Sequence, residues 1–191
     1  MALDAAEALL DAAGPEALTT RAVAQRIGYT AGSLYVVFRN RDDLIMQLNG
    51  RTLTALRKEL DAAVAGLAAP RQRLLALARG YLDFAVRYPT RWRLVFEHDV
   101  PQERVPDALR AQIAAFFDLI CAELSALLGA SALDEGQPRR SAQALWGGVH
   151  GIAVLSITGK LIAGGTEPPE GLIEDMVVNY LAGLAAQKRL A

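Results

Sequence analysis

Between Thr19 and Arg41 the only side chains expected to carry charge are four arginines, Arg21, Arg26, Arg39 and Arg41. A guanidinium matches a phosphate in shape and charge. Four of them with no carboxylate between make a local positive patch, although the 191-residue chain carries a formal net charge of only −1. Neutralising nucleic-acid phosphates needs such a patch, not a basic protein. The same arginines could equally solvate a helical surface, so the residues around them decide.

Those residues predict two short helices joined at a glycine, the layout of a helix-turn-helix. Thr19 caps the first helix, and Gly28 stops it after Ile27. Thr30 caps the second, Ala31 to Phe38, which opens with Ala31, Gly32 and Ser33, small enough for a backbone to approach DNA closely. Val23, Ala24, Ile27, Tyr29, Leu34 and Val37 fall where the unit needs apolar contact. A preceding helix, Ala2 to Ala13, presents Leu3, Ala6, Leu9 and Leu10 on one face and closes a three-helix domain, 1–46.

The rest, 47–191, reads as a larger helical domain. Alanine and leucine dominate and no stretch alternates strictly, so the fold class expected is all-α with about nine helices. The later helices are expected at Asp42 to Leu67, Pro70 to Tyr88, Trp92 to His98, from after Pro106 to about Leu128, Arg139 to Ala163, and Glu170 to Lys188. Gly129 to Pro138 should be a loop and Gly164 to Pro169 a tight connection. The single cysteine, Cys121, excludes an internal disulfide and sits among Phe116, Phe117, Ile120 and Leu124, as a buried structural thiol would. The N-terminal run lacks a basic lead and a sustained apolar stretch. The longest apolar stretch, Ala144 to Ile157, is broken by His150 and too short for a bilayer. A cytoplasmic location without a membrane partner is expected. No Glu precedes a His by three residues, two histidines and one cysteine do not give metal-ligand spacing, and no nucleophile or phosphate-loop motif occurs. No enzyme, cofactor or metal site is expected.

Eight of the twelve aromatic residues, Tyr81, Phe84, Tyr88, Trp92, Phe96, Phe116, Phe117 and Trp146, fall between positions 81 and 146. Such a stripe serves as core, or with Ile120 and His150 it walls a cavity for a flat or hydrophobic compound. In the last helix Ile173, Met176, Val177, Tyr180, Leu181 and Leu184 recur at helical spacing, and the helix before it carries Gly147, Gly148 and Gly151. Helical glycines ask for a compensating close approach. A two-fold four-helix contact between copies would supply it, with Gly147, Gly151, Ile173, Met176, Val177, Tyr180 and Leu184 at the interface; burial within the chain's own domain is the alternative.

Gly28, Thr30, the pair Leu34-Tyr35, Phe38 and Arg41 reproduce a pattern that resembles the TetR family of bacterial transcriptional regulators, over Leu3 to about Leu48. Trp146, His150 and Gly151 resemble the Trp-His-Gly signature of one subgroup. The resemblance implies a DNA-binding domain on a ligand-binding and dimerisation domain. The function it implies is a transcriptional repressor released from its operator by a small hydrophobic or aromatic molecule. By the same resemblance Thr30, Ser33 and Tyr35 touch phosphates, Arg41 replaces the usual lysine there, Arg21 lies close to the DNA backbone, and Ala31 and Gly32 face the major groove. Val36 and Val37 stand where polar or aromatic groups are common, so base readout would rest on few hydrogen bonds and on apolar contact. A helical ligand- or partner-binding protein of the same fold without DNA binding remains the alternative.

Overall fold

The computed structural model describes residues 1–129, 136–161 and 167–190, with side chains to 187. Among them are nine α-helices and no strand: α1 Ala2–Ala13, α2 Thr20–Arg26, α3 Ala31–Leu34, α4 Arg41–Val64, α5 Pro70–Arg87, α6 Pro89–Glu97, α7 Asp107–Leu128, α8 Gln137–Ile157 and α9 Pro169–Leu190. Short 3-10 turns occupy Pro15–Ala17 and Gln102–Arg104. The all-helical class expected from composition is the one adopted.

The caps act as the residue types predict. Thr19 Oγ1 accepts from the Ala22 N–H at 3.1 Å, and Thr30 Oγ1 from the Ser33 N–H at 3.3 Å. Gly28 has φ 75°, a left-handed conformation that lets the Tyr29 N–H return to the Ala24 carbonyl at 2.9 Å and end α2. Pro70 and Pro89 each supply a first helical residue whose missing N–H costs nothing there.

Several elements differ from expectation. α3 ends at Leu34, not Phe38, because the Leu34 carbonyl takes both the Val37 N–H at 2.9 Å and the Phe38 N–H at 2.8 Å, tightening the last turn. α8 ends at Ile157, where the Thr158 hydroxyl donates to the Val154 carbonyl at 2.7 Å. Ala163, most of the expected loop after Gly129, and the start of the connection after Gly164 lie outside the described residues. The 144–157 stretch is not among the helices long and apolar enough to cross a membrane; among the described residues α7 alone meets that length and composition. Its exposed alanines, Ala108, Ala111, Ala115, Ala122 and Ala126, add to that apolar composition and share one face with Asp118.

The chain forms two compact units: Met1–Ala55 with Tyr88–Ile113, and Leu56–Arg87 with Ala114–Ala191. The first is wider than the 1–46 domain expected, because α6 buries Leu94 in the same core as Leu10, Leu18, Val23, Leu34, Phe38, Leu44, Ile45 and Leu48. Arg91 of α6 also pairs with Glu7 and Asp11 of α1. The second unit packs α5, α8 and α9 together around Leu74, Leu77, Leu82, Phe84, Leu145, Val149, Ala153, Ile173, Val177 and Leu181.

Replacing Gly28 with alanine should cost about 1 kcal/mol, because an L side chain is strained at this φ. A urea midpoint lowered for Gly28→Ala, and lowered less for Gly28→Asn, is the expected result; a midpoint unchanged in both would contradict it.

Candidate nucleic-acid interface

The segment after α2 is held from beneath and bare on top. Leu34 and Phe38 are buried, and the hydroxyls of Thr30 and Ser33 lie 3.0 Å apart at the start of α3. Asn40 caps α4 by accepting the Asp43 N–H at 2.8 Å, while Asp43 Oδ2 accepts the Arg39 N–H at 2.9 Å. Burial would raise the Asp43 pKa, but the Arg39 N–H, the Gln47 side chain and the Arg39 guanidinium outweigh it and hold the carboxyl below its ordinary value. Asp43 is therefore an anion at neutral pH that fixes where Arg39 leaves the chain.

Gly32, Ser33, Tyr35, Val36, Val37 and Arg39 of this segment are all exposed, as are Arg21 and Arg26 of α2; Ala31 is half-buried. Tyr29 and Val37, expected in apolar contact, are among the exposed residues instead, because the tightened turn after Leu34 carries Val37 outward. Arg41 is half-buried and has partners within the chain. Its Nε donates to the Leu18 carbonyl at 2.9 Å and its guanidinium to the Pro15 carbonyl at 2.7 Å, strapping the start of α4 to the turn before α2.

The second unit contains a small void of about 30 Å³ lined by Leu74, Leu77, Ala78, Tyr81, Phe116, Ile120, Leu145, Trp146 and Val149. That is room for roughly one water, whereas pockets for drug-sized ligands run to several hundred Å³. Of the aromatic residues expected around a cavity, Tyr81, Phe116 and Trp146 line it. Phe117 packs edge-on to Trp146, ring centroids 5.5 Å apart, and Phe84 is core. Tyr88, Trp92 and Phe96 belong to the first unit, where the Trp92 and Phe96 rings pack tilted at 54° with centroids 4.9 Å apart. The Tyr81 hydroxyl lies 2.8 Å from His150 Nδ1. Burial pushes the His150 pKa below the ordinary histidine value, so the ring is neutral at pH 7. Beside the void, Arg73 of α5 donates to Glu123 of α7 at 2.6 Å and to the carbonyls of Val64 and Leu67 at 3.0 and 3.2 Å, holding the end of α4.

The residues expected between copies divide. Ile173 and Val177 are buried in their own unit. Met176 lies against Gly148, where a Cβ would come within 3.0 Å of its sulfur. Gly147 and Gly151 face open space, and Tyr180 and Leu184 line a surface groove of about 510 Å³ between α8 and α9. The apolar stripe of α9 is thus two-sided, and periodicity alone could not tell which edge faces inward.

Residues 2–48 match the family model described as bacterial regulatory proteins, tetR family. Residues 74–180, more than half the chain, match that of a tetracyclin repressor-like C-terminal domain. The chain belongs to the TetR family. An HTH-type transcriptional regulator of Mycobacterium tuberculosis is 29% identical over 119 residues, which cover 59% of this chain and 51% of that protein, so the match spans about half the length of the curated relative. A protein of unknown function from Rhodococcus sp. RHA1 superposes with TM-score 0.81 at 25% identity, over 96% of this chain and 93% of that one. AibR, solved with isovaleryl coenzyme A and operator DNA, shares the fold at TM-score 0.65 and 18% identity, over 92% and 94% of the two chains. TetR-family proteins are regulators and not enzymes. All the exposed residues described between Arg21 and Arg39 lie in the segment matched by the first family model.

Because His150 is neutral in the fold, the unfolded chain takes up its proton first as pH falls. Its contribution is present above the unfolded pKa and lost as pH falls towards the folded one. Between about pH 7 and about pH 5 the wild type should lose stability more steeply than His150→Gln in urea titrations; equal slopes would contradict the burial argument.

Proposed function

We propose that this TetR-family chain is a homodimeric, ligand-responsive repressor in which 1–46 meets operator DNA and 47–191 takes an effector and dimerises. The observation that carries the reading is the anchored, exposed segment around α3, with three exposed arginines and no carboxylate between Thr19 and Arg41. Arg21, Thr30, Ser33, Tyr35 and Arg39 contact phosphates, while Ala31 and Gly32 let the backbone approach the groove. Arg41 acts by holding the start of α4.

The effector is a small hydrophobic or aromatic molecule, in keeping with the apolar wall of the void. With room for only one water, that void must open before such a molecule enters, and Tyr81 with His150 is the polar pair at its edge. Trp146, His150 and Gly151 fall inside the matched C-terminal segment, which supports the Trp-His-Gly subgroup. AibR, in complex with both a coenzyme A ester and operator DNA, supports a two-site arrangement on this fold. A second copy covers the groove lined by Tyr180 and Leu184 and the open face of Gly147 and Gly151.

The test is binding of the purified protein to the DNA beside its own gene, by fluorescence anisotropy across a salt series. Specific binding that weakens with salt supports the reading. Tyr35→Ala should weaken it about tenfold, and Arg39→Ala should flatten the slope of log K against log salt by about 1, with the dimer intact in both. Unaltered binding in both variants would move the interface elsewhere. No specific DNA binding at all would favour a ligand- or partner-binding protein of the same fold.

A further inference from the structure

We infer that Val36 is a specificity-determining residue of the reading segment and that it recognises thymine by the C5 methyl group; the inference rests on the operator-binding reading above. A protein distinguishes base pairs in the major groove either by hydrogen bonds to base edges or by apolar contact with the thymine methyl. From Ala31 to Phe38 there is no Arg, Lys, Asn, Gln, Asp or Glu. The polar side chains there are Ser33 and Tyr35, and the Ser33 hydroxyl is already within 3.0 Å of Thr30 Oγ1. Bidentate pairing with guanine or adenine has no side chain to make it on this stretch.

What the segment offers instead is Val36, 88% exposed, the most exposed large hydrophobic residue among those described. Leu34 and Phe38, two residues to either side, are both buried, so Val36 stands on the side away from the core. Arg21 and Arg26 on the preceding helix α2, and Arg39 just after the stretch, are exposed as well. An apolar group among cations calls for a partner that is anionic overall yet presents an apolar spot. Duplex DNA satisfies both with its phosphates and the thymine methyl, whereas an apolar protein surface would supply no counter-charge to Arg21 and Arg26, Arg39 lying beside Asp43.

The test uses the full chain and duplexes that it retains from a random-sequence library. Each is resynthesised with uracil in place of one thymine at a time, which removes the methyl and leaves every hydrogen-bonding group. In anisotropy titrations at one salt concentration, the wild type should lose about fourfold in affinity at one or two positions of each half-site. Val36→Ala should show no thymine preference at those positions. Equal wild-type binding to thymine and uracil at every position overturns the inference and leaves the operator reading standing. A thymine preference undiminished in Val36→Ala also overturns the assignment to Val36. Retention of no duplex overturns both.

Discussion

A four-residue helix cannot hold its own shape in water, because a single turn orders several residues for very few hydrogen bonds. α3 is such a helix, so the reading surface exists only because its underside is anchored. Leu34 and Phe38 lock into a core that α1, α2, α4 and α6 all contribute to, and burying side chains of this size is worth roughly 1.5–3 kcal/mol each. The caps at Thr30 and Asn40 close the two ends. With those positions fixed, the residues between them have no inward direction left, and Tyr35, Val36 and Val37 stand in water.

The arginines divide along the same line. Arg41, Arg73 and Arg91 are partly covered and committed, the first two to carbonyls that close turns and helix ends and the third to α1 carboxylates. Such covered, multiply bonded guanidiniums hold elements in place in a way that isolated exposed ion pairs do not. Arg21, Arg26 and Arg39 remain at the surface. A chain with almost no net charge can therefore leave exposed cations near α3, because many of its other arginines are paired with carboxylates, as Arg51, Arg57, Arg79, Arg87 and Arg93 are at the surface.

Much of this was legible in the sequence because local chemistry dictates it. Thr19, Gly28 and Thr30 each act within a few residues of their own position, and the helix boundaries at Pro70 and Pro89 follow from a ring that cannot donate. What pattern could not supply was direction. Val37 shares helical spacing with buried residues, yet points outward once the turn after Leu34 tightens. Ile173 and Val177 sit on the apolar stripe of α9 and serve the chain's own core. The aromatic residues from Tyr81 to Trp146 form one group by sequence but two in space, since Tyr88 lies at the start of a segment that joins the first unit. Arg41 looked like a free cation because its partners, Pro15 and Leu18, lie more than twenty residues earlier.

The exposed surface around α3 depends on the anchoring of its segment, and amide hydrogen exchange of the free protein measures that anchoring directly. The Val37 and Phe38 amides, both bonded to the Leu34 carbonyl, should be protected close to the level of the Leu44 to Leu48 amides in the core. Exchange at the rate of an unstructured chain, with the core amides still protected, would contradict the claim that the surface is preformed.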